Sequence, residues 1–520
     1  MKKVLALLLA VALVLGLAAC GSSGSGNPAS GGNADKVYNI RMQIVVFGRE
    51  FPGLSDVEAA INAITEPEIG ATVTIEPVNA WDLSTTSSLQ ITSNEKLDLM
   101  IVLPLGSAMD ALTNYTSKNM LLPLDELYAE YGKDIAANIG ELEKLGYVGD
   151  TLYGISAQVK AGSGQGMAVI SSRMQELGFD FQEGQAYTLD DLDPMFEAFK
   201  AKYGDGYYPI AMIADADPFH NVCAVDTLGG TTASGVLMDG GLGEMKVVNE
   251  YATQEYHDWV VRAHDYYTKG WINPDVTTIS ESWPTLLSAG NYLGALTGFA
   301  GDDAMDAALS WENQVGEDLT YIKLIPDFAT STAADYALFS IPVTCENPEK
   351  TMQFLNLMFQ ERELGNDIAT LLGCGIEGKS YVVKEALGGT KAIIDYPEGV
   401  DGMSVPYTQQ VPIYGHQFSI PMYAPLTADF YPLNENYNQS IADAGRYSKA
   451  FGYVFNASDY STQISAINDV INQYRPLLSL GAASDTEKTL SDFLSALETA
   501  GINDVVAANQ QQLDAWIALQ

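Results

Sequence analysis

Basic side chains are scarce in this sequence. Of its 520 residues, 26 are Lys or Arg and 66 are Asp or Glu, which gives a net charge of −40. Such a surface repels nucleic acids and anionic membranes, and no cluster of Lys and Arg interrupts it. With 47% hydrophobic and 10% aromatic residues the chain is globular, and its length predicts two to four structural units. We therefore expect no nucleic acid among its partners.

Residues suited to metal binding and nucleophilic catalysis are also few. The chain has four histidines, no H-E-x-x-H motif and no G-x-S-x-G motif. Beyond the N-terminal region the cysteines are Cys223, Cys345 and Cys374, which show no C-x-x-C spacing and are expected to be buried apolar residues. We predict no cofactor and no metal. A glycoside hydrolase needs only two facing carboxylates, so with this many acidic residues that class stays open.

Long apolar runs are confined to the N-terminus. Two lysines precede the apolar residues 4 to 19, which are typical of a secretory signal. The run ends in Leu-Ala-Ala followed by Cys20, and it resembles the signal of bacterial lipoproteins, in which the cysteine is lipidated after cleavage. We therefore predict a signal peptide over residues 1–19. Residues 20–35, rich in Gly and Ser, are predicted to be the lipidated cysteine and a flexible tether.

The first part of the mature chain has the pattern of a parallel sheet with helices. YNIRMQIVV, TVTIEPV and LDLMIVLP read as strands, and a helix between the first two is expected to begin at Ser55 with Glu58 completing a capping box. Consecutive parallel strands place their carboxyl ends at one edge of a sheet, where ligands bind in such folds. The segments FGREF, NAWDL and LPLGS follow the three strands and are expected at that edge.

One segment, GCGIEGKS at residues 373–380, matches the P-loop pattern G-x-x-x-x-G-K-[ST]. A phosphate-binding loop follows a strand and precedes a helix. Here a helix is predicted before the segment, starting after Asn347 as N-cap, and the β-type run SYVVKE comes after it. We therefore interpret the segment as a turn rather than a nucleotide site. Glu377 and Lys379 are expected to pair with each other or to contact the other lobe when a cleft closes.

Several longer segments resemble one protein family. They are LLPLDELYAEYGKDI, YVGDTLYGI, YTLDDLDPMFEAFKAKYG, YTKGWINPD and IPVTCENPEKTMQFLNLMFQERELGNDIATLLGCGIEGKSYVV, together with the C-terminal FGYVFNASDYSTQISAINDVINQY. They are similar to the extracellular solute-binding lipoproteins of bacterial ABC importers, from the family 1 type that mostly serves carbohydrates. The GIEGK segment and the C-terminal residues resemble a subfamily first seen in Gram-positive bacteria.

The resemblance implies a periplasmic-binding-protein-like fold of type II, in which two α/β lobes close on a ligand about a hinge. The crossings between the lobes are expected near residues 152–156, 319–324 and 380–384. The predicted units are residues 36–153 plus 323–381 as lobe 1, residues 154–322 plus 382–460 as lobe 2, and residues 461–520 as a helical C-terminal layer.

Sugar binding calls for aromatic faces and for carboxylates or amides in a concave site. Trp81, Trp283 and Trp311 lie in loop-like or polar segments and are candidate ligand contacts, with partial burial at the surface as the alternative for each. Four further residues are candidates because they lie at predicted strand ends or at the expected hinge: Arg49, Glu50, Tyr153 and Asp215.

These features predict a binding protein rather than an enzyme. It is expected to capture a carbohydrate, most simply an oligosaccharide, between its lobes and to deliver it to the permease of an ABC importer. The predicted form is a monomer, exported and held at the outer face of the membrane through a lipid on Cys20. Two alternatives remain: the same scaffold binding an oligopeptide or other polar solute, and a surface glycoside hydrolase.

Overall fold

Strands and helices alternate along most of the polypeptide. The structure is a computed structural model that describes residues 37–103, 112–214, 216–305, 307–333, 337–409 and 413–520. The predicted signal peptide, Cys20, the tether and Asp215 lie outside the described residues. Residues Tyr38–Gln520 form a compact unit.

The strands and α-helices are numbered here in chain order. The strands are β1 Tyr38–Val46, β2 Ala71–Asn79, β3 Met100–Val102, β4 Tyr147–Val148, β5 Thr151–Leu152, β6 Ile155–Ser156, β7 Ser163–Ile170, β8 Tyr208–Ala211, β9 Val225–Asp226, β10 Leu237–Met238, β11 Tyr292–Phe299, β12 Leu319–Phe328, β13 Leu338–Ser340, β14 Val382–Gly388, β15 Lys391–Asp395 and β16 Met422–Tyr423. The helices are α1 Leu54–Ile69, α2 Leu83–Thr92, α3 Leu112–Ser117, α4 Asp125–Tyr131, α5 Lys133–Ile139, α6 Ser171–Glu176, α7 Leu189–Tyr203, α8 Gln254–Thr268, α9 Trp283–Ser288, α10 Ala308–Val315, α11 Pro348–Leu357, α12 Ile368–Gly373, α13 Phe430–Glu435, α14 Tyr437–Asp443, α15 Ser461–Ser479, α16 Thr486–Ala500 and α17 Ile502–Ile517.

The first lobe is built on a parallel β-α-β unit, as the sequence predicts. β1 pairs with β2 along its whole length, from Tyr38 opposite Ala71 to Val46 opposite Asn79. A parallel bridge between Met42 and Leu99 joins the segment that leads into β3, and β3 continues through β13 to β6. The last five residues of β1 are buried, because the core of this lobe covers the strand.

The second lobe contains a four-stranded sheet in the order β12-β7-β11-β8. β7 is antiparallel to β11 and β12, while β8 is parallel to β11. Alternate residues of β7 enter different cores: Met167 and Val169 pack with α7, α8 and the C-terminal helices, and Ala168 and Ile170 pack beneath α9 and α10. Both faces of the sheet are therefore covered, which is the arrangement that an α/β lobe requires.

The C-terminal helices α15, α16 and α17 pack on the second lobe. Ile467, Leu490 and Leu513, one from each helix, are buried in the same core as Met167 of the sheet. The helical character predicted for residues 461–520 is confirmed. This segment is thus a layer that completes the second core.

The main chain passes three times between the two cores. Ala161 belongs to the first core and Met167 to the second; the chain returns between Ile322 and Ala329, and it crosses again between Ile441 and Ala450. Backbone hydrogen bonds join the last two crossings, from Ala329 N–H to the carbonyl of Arg446 (3.0 Å) and from Ser448 N–H to the carbonyl of Ala329 (2.8 Å). These three segments form the hinge.

The hinge differs from the crossings expected near residues 152–156, 319–324 and 380–384. Leu152 is buried in the first core, Ile322 in the second, and Tyr381 in a small cluster beside β15. The predicted lobe boundaries remain a prediction, and the packing favours one revision of them. Tyr407 and Tyr437, which the sequence placed in lobe 2, pack in the core of lobe 1, so residues 382–445 are better assigned to lobe 1.

Two helix N-termini that the sequence predicts can be compared with the structure. Asn347 caps α11 as predicted, because its side chain accepts the N–H of Lys350 (3.1 Å) and Pro348 occupies the first turn. The capping box at Ser55 and Glu58 is wrong. Helix α1 already begins at Leu54, and the Glu58 carboxylate accepts the N–H of Ile75 in β2 (2.7 Å), so it fastens the helix to the sheet instead.

Candidate functional site

The carboxyl ends of the first-lobe strands point toward the hinge. β6 runs into the first crossing, and β13, which the second crossing enters, begins opposite the ends of β6 and β3. β1 and β2 end at this same edge, because they are parallel to the segment leading into β3. The loops after β1 and β2 therefore lie at the edge where ligands bind in α/β sheets.

Trp81 projects from this edge. The residue lies in a single 3₁₀ turn directly after β2, and the Asn79 side chain caps that turn by accepting the N–H of Trp81 (3.1 Å). The indole is 75% exposed, which makes it the most exposed large hydrophobic side chain in the part of the chain that the structure describes. A large aromatic side chain held in solvent by a capped turn is available for stacking on a ligand.

Arg49 fixes a neighbouring loop to the same edge. Its guanidinium donates to the carbonyls of Gly402 and Val405 and lies 5.4 Å from the ring of Phe51. Between those carbonyls stands Met403, which is 70% exposed. Arg49 thus positions the segment that displays Met403, a pairing that joins residues more than 350 positions apart.

The facing edge of the second lobe carries a buried lysine between two acids. Lys323 on β12 is 3% exposed and donates to the carbonyl of Gly301 (2.8 Å), to Asp302 (3.0 Å) and to Asp327. The hydroxyl of Tyr437 lies within hydrogen-bonding distance of both Asp327 and the carbonyl of Gly162 (2.9 Å), and its single proton is available to either acceptor. Burial and the charge of Asp327 raise the pKa of Tyr437, so the phenol stays protonated. This network links β12 to the first crossing segment.

The carboxylate of Asp226 joins the second and third crossings through hydrogen bonds. It is fully buried and accepts the N–H and hydroxyl of Ser331 (2.8 and 2.9 Å), the hydroxyl of Ser448 (2.6 Å) and the N–H of Leu228 (2.9 Å). Burial raises the pKa of Asp226, although the four hydrogen bonds oppose the shift. Ser331 follows the second crossing and Ser448 lies in the third. One side chain therefore holds both at the second lobe.

The loop after β8 carries further polar groups. Asn221 donates to Gln165 of β7 (2.8 Å), and His220 is hydrogen bonded to the fully buried Glu250 (2.8 Å). Asp217 lies 3.4 Å from Arg475 of helix α15. Asp217, His220 and Glu250 are close enough to share an ion, but Arg475 places a positive charge beside them. The four groups are best described as two adjacent ion pairs, His220 with Glu250 and Arg475 with Asp217.

Comparison with known families identifies the chain. A family model described as bacterial extracellular solute-binding protein matches residues 59–374, and a domain of unknown function (DUF3502) matches residues 449–518. The chain is a bacterial extracellular solute-binding protein. This identification confirms the family that the sequence resembles and, with it, the two-lobed fold.

Individual proteins agree with this assignment. The solute-binding protein is 25% identical to a carbohydrate ABC transporter substrate-binding protein of Streptococcus pneumoniae serotype 4, over 98% of this chain and 96% of that protein. The N-glycan transport solute binding protein NgtS of S. pneumoniae has a similar structure, with a TM-score of 0.70 at 20% identity, covering 92% and 99% of the two chains. FusA of S. pneumoniae, solved in complex with kestose, gives a TM-score of 0.56 at 15% identity, covering 93% and 100%.

The structure gathers some of the predicted ligand residues and separates others. Arg49, Glu50 and Trp81 share the edge of the first lobe, and Glu50 is exposed there. The guanidinium of Arg49 donates to two backbone carbonyls, which favours a role in positioning the loop rather than in contacting a ligand. Tyr153 is half-buried against the first core in the turn between β5 and β6, several residues before the first crossing, and Asp215 lies outside the described residues.

Trp283 and Trp311 lie together in the second lobe. Their rings meet edge to face with centroids 5.0 Å apart, and Trp311 also contacts Tyr321 at 5.9 Å. Both are partly buried against the smaller of the two cores on the sheet, where α9 and α10 carry them. Mutual packing therefore accounts for part of each indole surface. For all these side chains, contact with a ligand stays a prediction.

Sequence reasoning did not find Lys323, Asp327, Tyr437 or Met403. One signal was visible: Lys323 stands in the otherwise apolar run TYIKLIP, and a lysine in a buried strand requires carboxylate or carbonyl partners. Met403 carried no comparable signal, because its exposure depends on the contact between Arg49 and a distant loop.

The P-loop-like segment has the surroundings that the sequence predicts for a turn. Helix α12 precedes it and β14 follows it. Lys379 forms an exposed ion pair with Asp56 of α1 (2.8 Å) rather than with Glu377, and a contact with the other lobe on closure stays a prediction. Cys374 is buried within this turn, and burial raises the pKa of its thiol.

Among the described residues no helix has the length and hydrophobicity to cross a bilayer.

Proposed function

We propose that this solute-binding protein captures a carbohydrate between its two lobes and presents it to the membrane permease of an ABC importer. The observation that carries the proposal is Trp81, an indole 75% exposed at the edge of the first lobe that points toward the hinge. Aromatic faces are the apolar surface that sugar rings use, and they leave the hydroxyls to polar neighbours. The name of the S. pneumoniae relative and the kestose complex of FusA support the same ligand class.

Charge at the second-lobe edge supports a neutral ligand. Lys323 is ion-paired with both Asp302 and Asp327. Its positive charge is therefore already balanced and offers no anchor for an anionic solute. The carboxylates, the amide pair Gln165 and Asn221, and the backbone carbonyls are groups that hydrogen bond to hydroxyls. An oligopeptide with a free carboxylate would need a cation that this network does not supply.

We also propose binding without turnover. A glycosidase requires a carboxylic acid held protonated near a second carboxylate. The two acids of the second-lobe edge, Asp302 and Asp327, are both ion-paired with Lys323 instead of facing each other across an open space. The capture cycle then needs only lobe closure, which the ligand favours if it contacts both lobes in the closed form. A lipid on Cys20 and a monomeric state complete the proposal.

The test is calorimetric titration of residues 21–520 with oligosaccharides of several linkages and with tri- to pentapeptides. We expect heat and a raised Tm with at least one sugar series and none with peptides. Trp81→Ala should weaken sugar binding about tenfold or more, because it removes a stacking face worth about 1–2 kcal/mol.

Leu89→Ala is the matched control for Trp81→Ala. Leu89 is 62% exposed on helix α2, so its truncation removes a similar exposed apolar surface away from the edge. Binding of peptides alone would refute the carbohydrate assignment. Release of reducing sugar during the titration would refute the absence of turnover.

A further inference from the structure

The first lobe has a cavity beside the loop that Arg49 holds. It has a volume of about 490 Å³ and lies between the end of α12, the loop that displays Met403, and β16. We call it the tyrosine pocket; its defining residues are Tyr396, Met403, Thr408, Gln409 and Tyr423. Its volume falls within the range of about 300–1,000 Å³ that small-molecule sites occupy.

The lining has the chemistry of a sugar subsite. Tyr396 and Tyr423 stack with ring centroids 4.5 Å apart and an interplanar angle of 24°, so each ring keeps at most one open face. The hydroxyls of Tyr423 and Thr408 are within 3.2 Å of each other, and the Gln409 side chain adds an amide. Aromatic faces next to hydroxyls and an amide match a pyranose, which has apolar C–H faces and a rim of hydroxyls.

The wall of the pocket is held in place before any ligand arrives. The Asp401 carboxylate accepts the N–H of Met403 (3.0 Å) and both the N–H and hydroxyl of Ser404 (2.9 and 2.7 Å). Arg49 binds the carbonyls on either side of Met403. Met403 is 70% exposed although its loop is fixed at both ends. Its exposure is therefore a property of an ordered loop that is preorganised for contact with a ligand.

The loop beside the pocket and the loop of Trp81 belong to the same edge of the first lobe. Trp81 and Met403 are the two most exposed large hydrophobic side chains among the described residues, at 75% and 70%. They project from loops anchored at neighbouring strand ends, since β1 pairs with β2 up to Val46 and Asn79. A chain of sugar residues that stacks on Trp81 therefore has a second apolar contact beside it.

We propose that the tyrosine pocket is an outer subsite, which takes one end residue of an oligosaccharide whose other residues lie between the lobes. This inference rests on the proposed function. It adds that the oligosaccharide is longer than the space between the lobes can hold. Tyr396 and Met403 contact the outer residue, and Arg49 and Asp401 position the loop.

The experiment compares short and long ligands. Residues 21–520 are titrated with malto-, manno-, xylo- and fructo-oligosaccharides of two to six units, and within each series that binds, affinity is plotted against length. Met403→Ala and Tyr396→Ala should each lower the affinity for the longest bound members about tenfold. The shortest bound members should change less than twofold, whereas Trp81→Ala weakens both.

Two comparisons keep the test decisive. Leu519→Ala, which truncates a side chain 64% exposed at the C-terminus, should leave every length unchanged. If Tyr396→Ala fails to fold, Met403→Ala decides, since this side chain is mostly in solvent. Equal losses for short and long ligands, or no loss for either, would overturn the subsite while the proposed function stands. Absence of binding by every sugar would overturn both.

Discussion

The ion pair between His220 and Glu250 predicts a loss of stability in alkaline solution. Burial by itself lowers the pKa of His220, but the charge of Glu250 and the 2.8 Å hydrogen bond to it outweigh burial, and the pKa rises to about 9. Asp217 raises it further and Arg475 opposes it. Because the pKa in the unfolded chain is about 6.5, the folded state binds this proton more tightly.

The sign and size of the effect follow from this difference. A histidine whose pKa is raised on folding contributes stability that is complete below pH of about 6.5 and is lost as the pH rises through about 9. The full difference corresponds to about 3.4 kcal/mol, at about 1.36 kcal/mol per pH unit. The His220 side chain is 29% exposed, so solvent screening reduces the expected contribution to about 2 kcal/mol.

The assay is guanidinium denaturation followed by tryptophan fluorescence at pH 6, 7.5, 9 and 10. The unfolding free energy of the wild type minus that of His220→Gln should shrink by about 2 kcal/mol from the lowest to the highest pH, because the variant carries no proton at this position. Glu250→Gln should flatten the wild-type slope in the same way.

A pH-independent difference between the wild type and His220→Gln would refute the reasoning. It would mean that His220 has the same pKa in the folded and unfolded chains, and so that Glu250 does not act on it as a charged partner.

Two further substitutions test the hinge and the P-loop-like segment. Asp226→Ala leaves two backbone N–H groups and two serine hydroxyls without their buried acceptor. It should therefore lower the free energy of unfolding, measured by urea denaturation, by about 3–5 kcal/mol. A change below about 1 kcal/mol would contradict the role of Asp226 in the hinge. Lys379→Ala removes an exposed ion pair with Asp56 and should change stability by less than about 1 kcal/mol, while titration with ATP gives no heat for either form; ATP binding that Lys379→Ala abolishes would contradict the turn assignment.

Local patterns in the sequence were enough to place much of the first lobe. β1 and β2 were predictable because an apolar run, a helix and a second alternating run describe one β-α-β unit. The edge that carries Arg49 and Trp81 follows from that unit, since parallel strands end together. Asn347 and Pro348 likewise gave the start of α11 correctly. In each case the decisive contacts lie within or between neighbouring elements.

The packing favours other crossing positions than the sequence predicted, because the position of the hinge depends on contacts between distant residues. Nothing local in the segment around Ala161 distinguishes a strand that stays in one lobe from one that leaves it. The crossings are defined by bonds such as Ser448 to Ala329 and by Asp226, which binds Ser331 from 105 positions away. The same limit applies to Met403, whose display depends on an arginine early in the chain.

The charge of the protein and its proposed ligand are consistent with each other. A net charge of −40 disfavours anionic solutes at long range, and the buried Lys323 does not reverse this locally because it is shared by Asp302 and Asp327. A neutral oligosaccharide meets no such barrier, and it can use the carboxylates and carbonyls as acceptors. In the proposed complex, affinity comes from the exposed apolar groups of the first lobe, which are Trp81, Met403 and the stacked tyrosines. On this argument the acidic edge selects against charge, while the aromatic surface along the first lobe sets how long a sugar chain the protein binds.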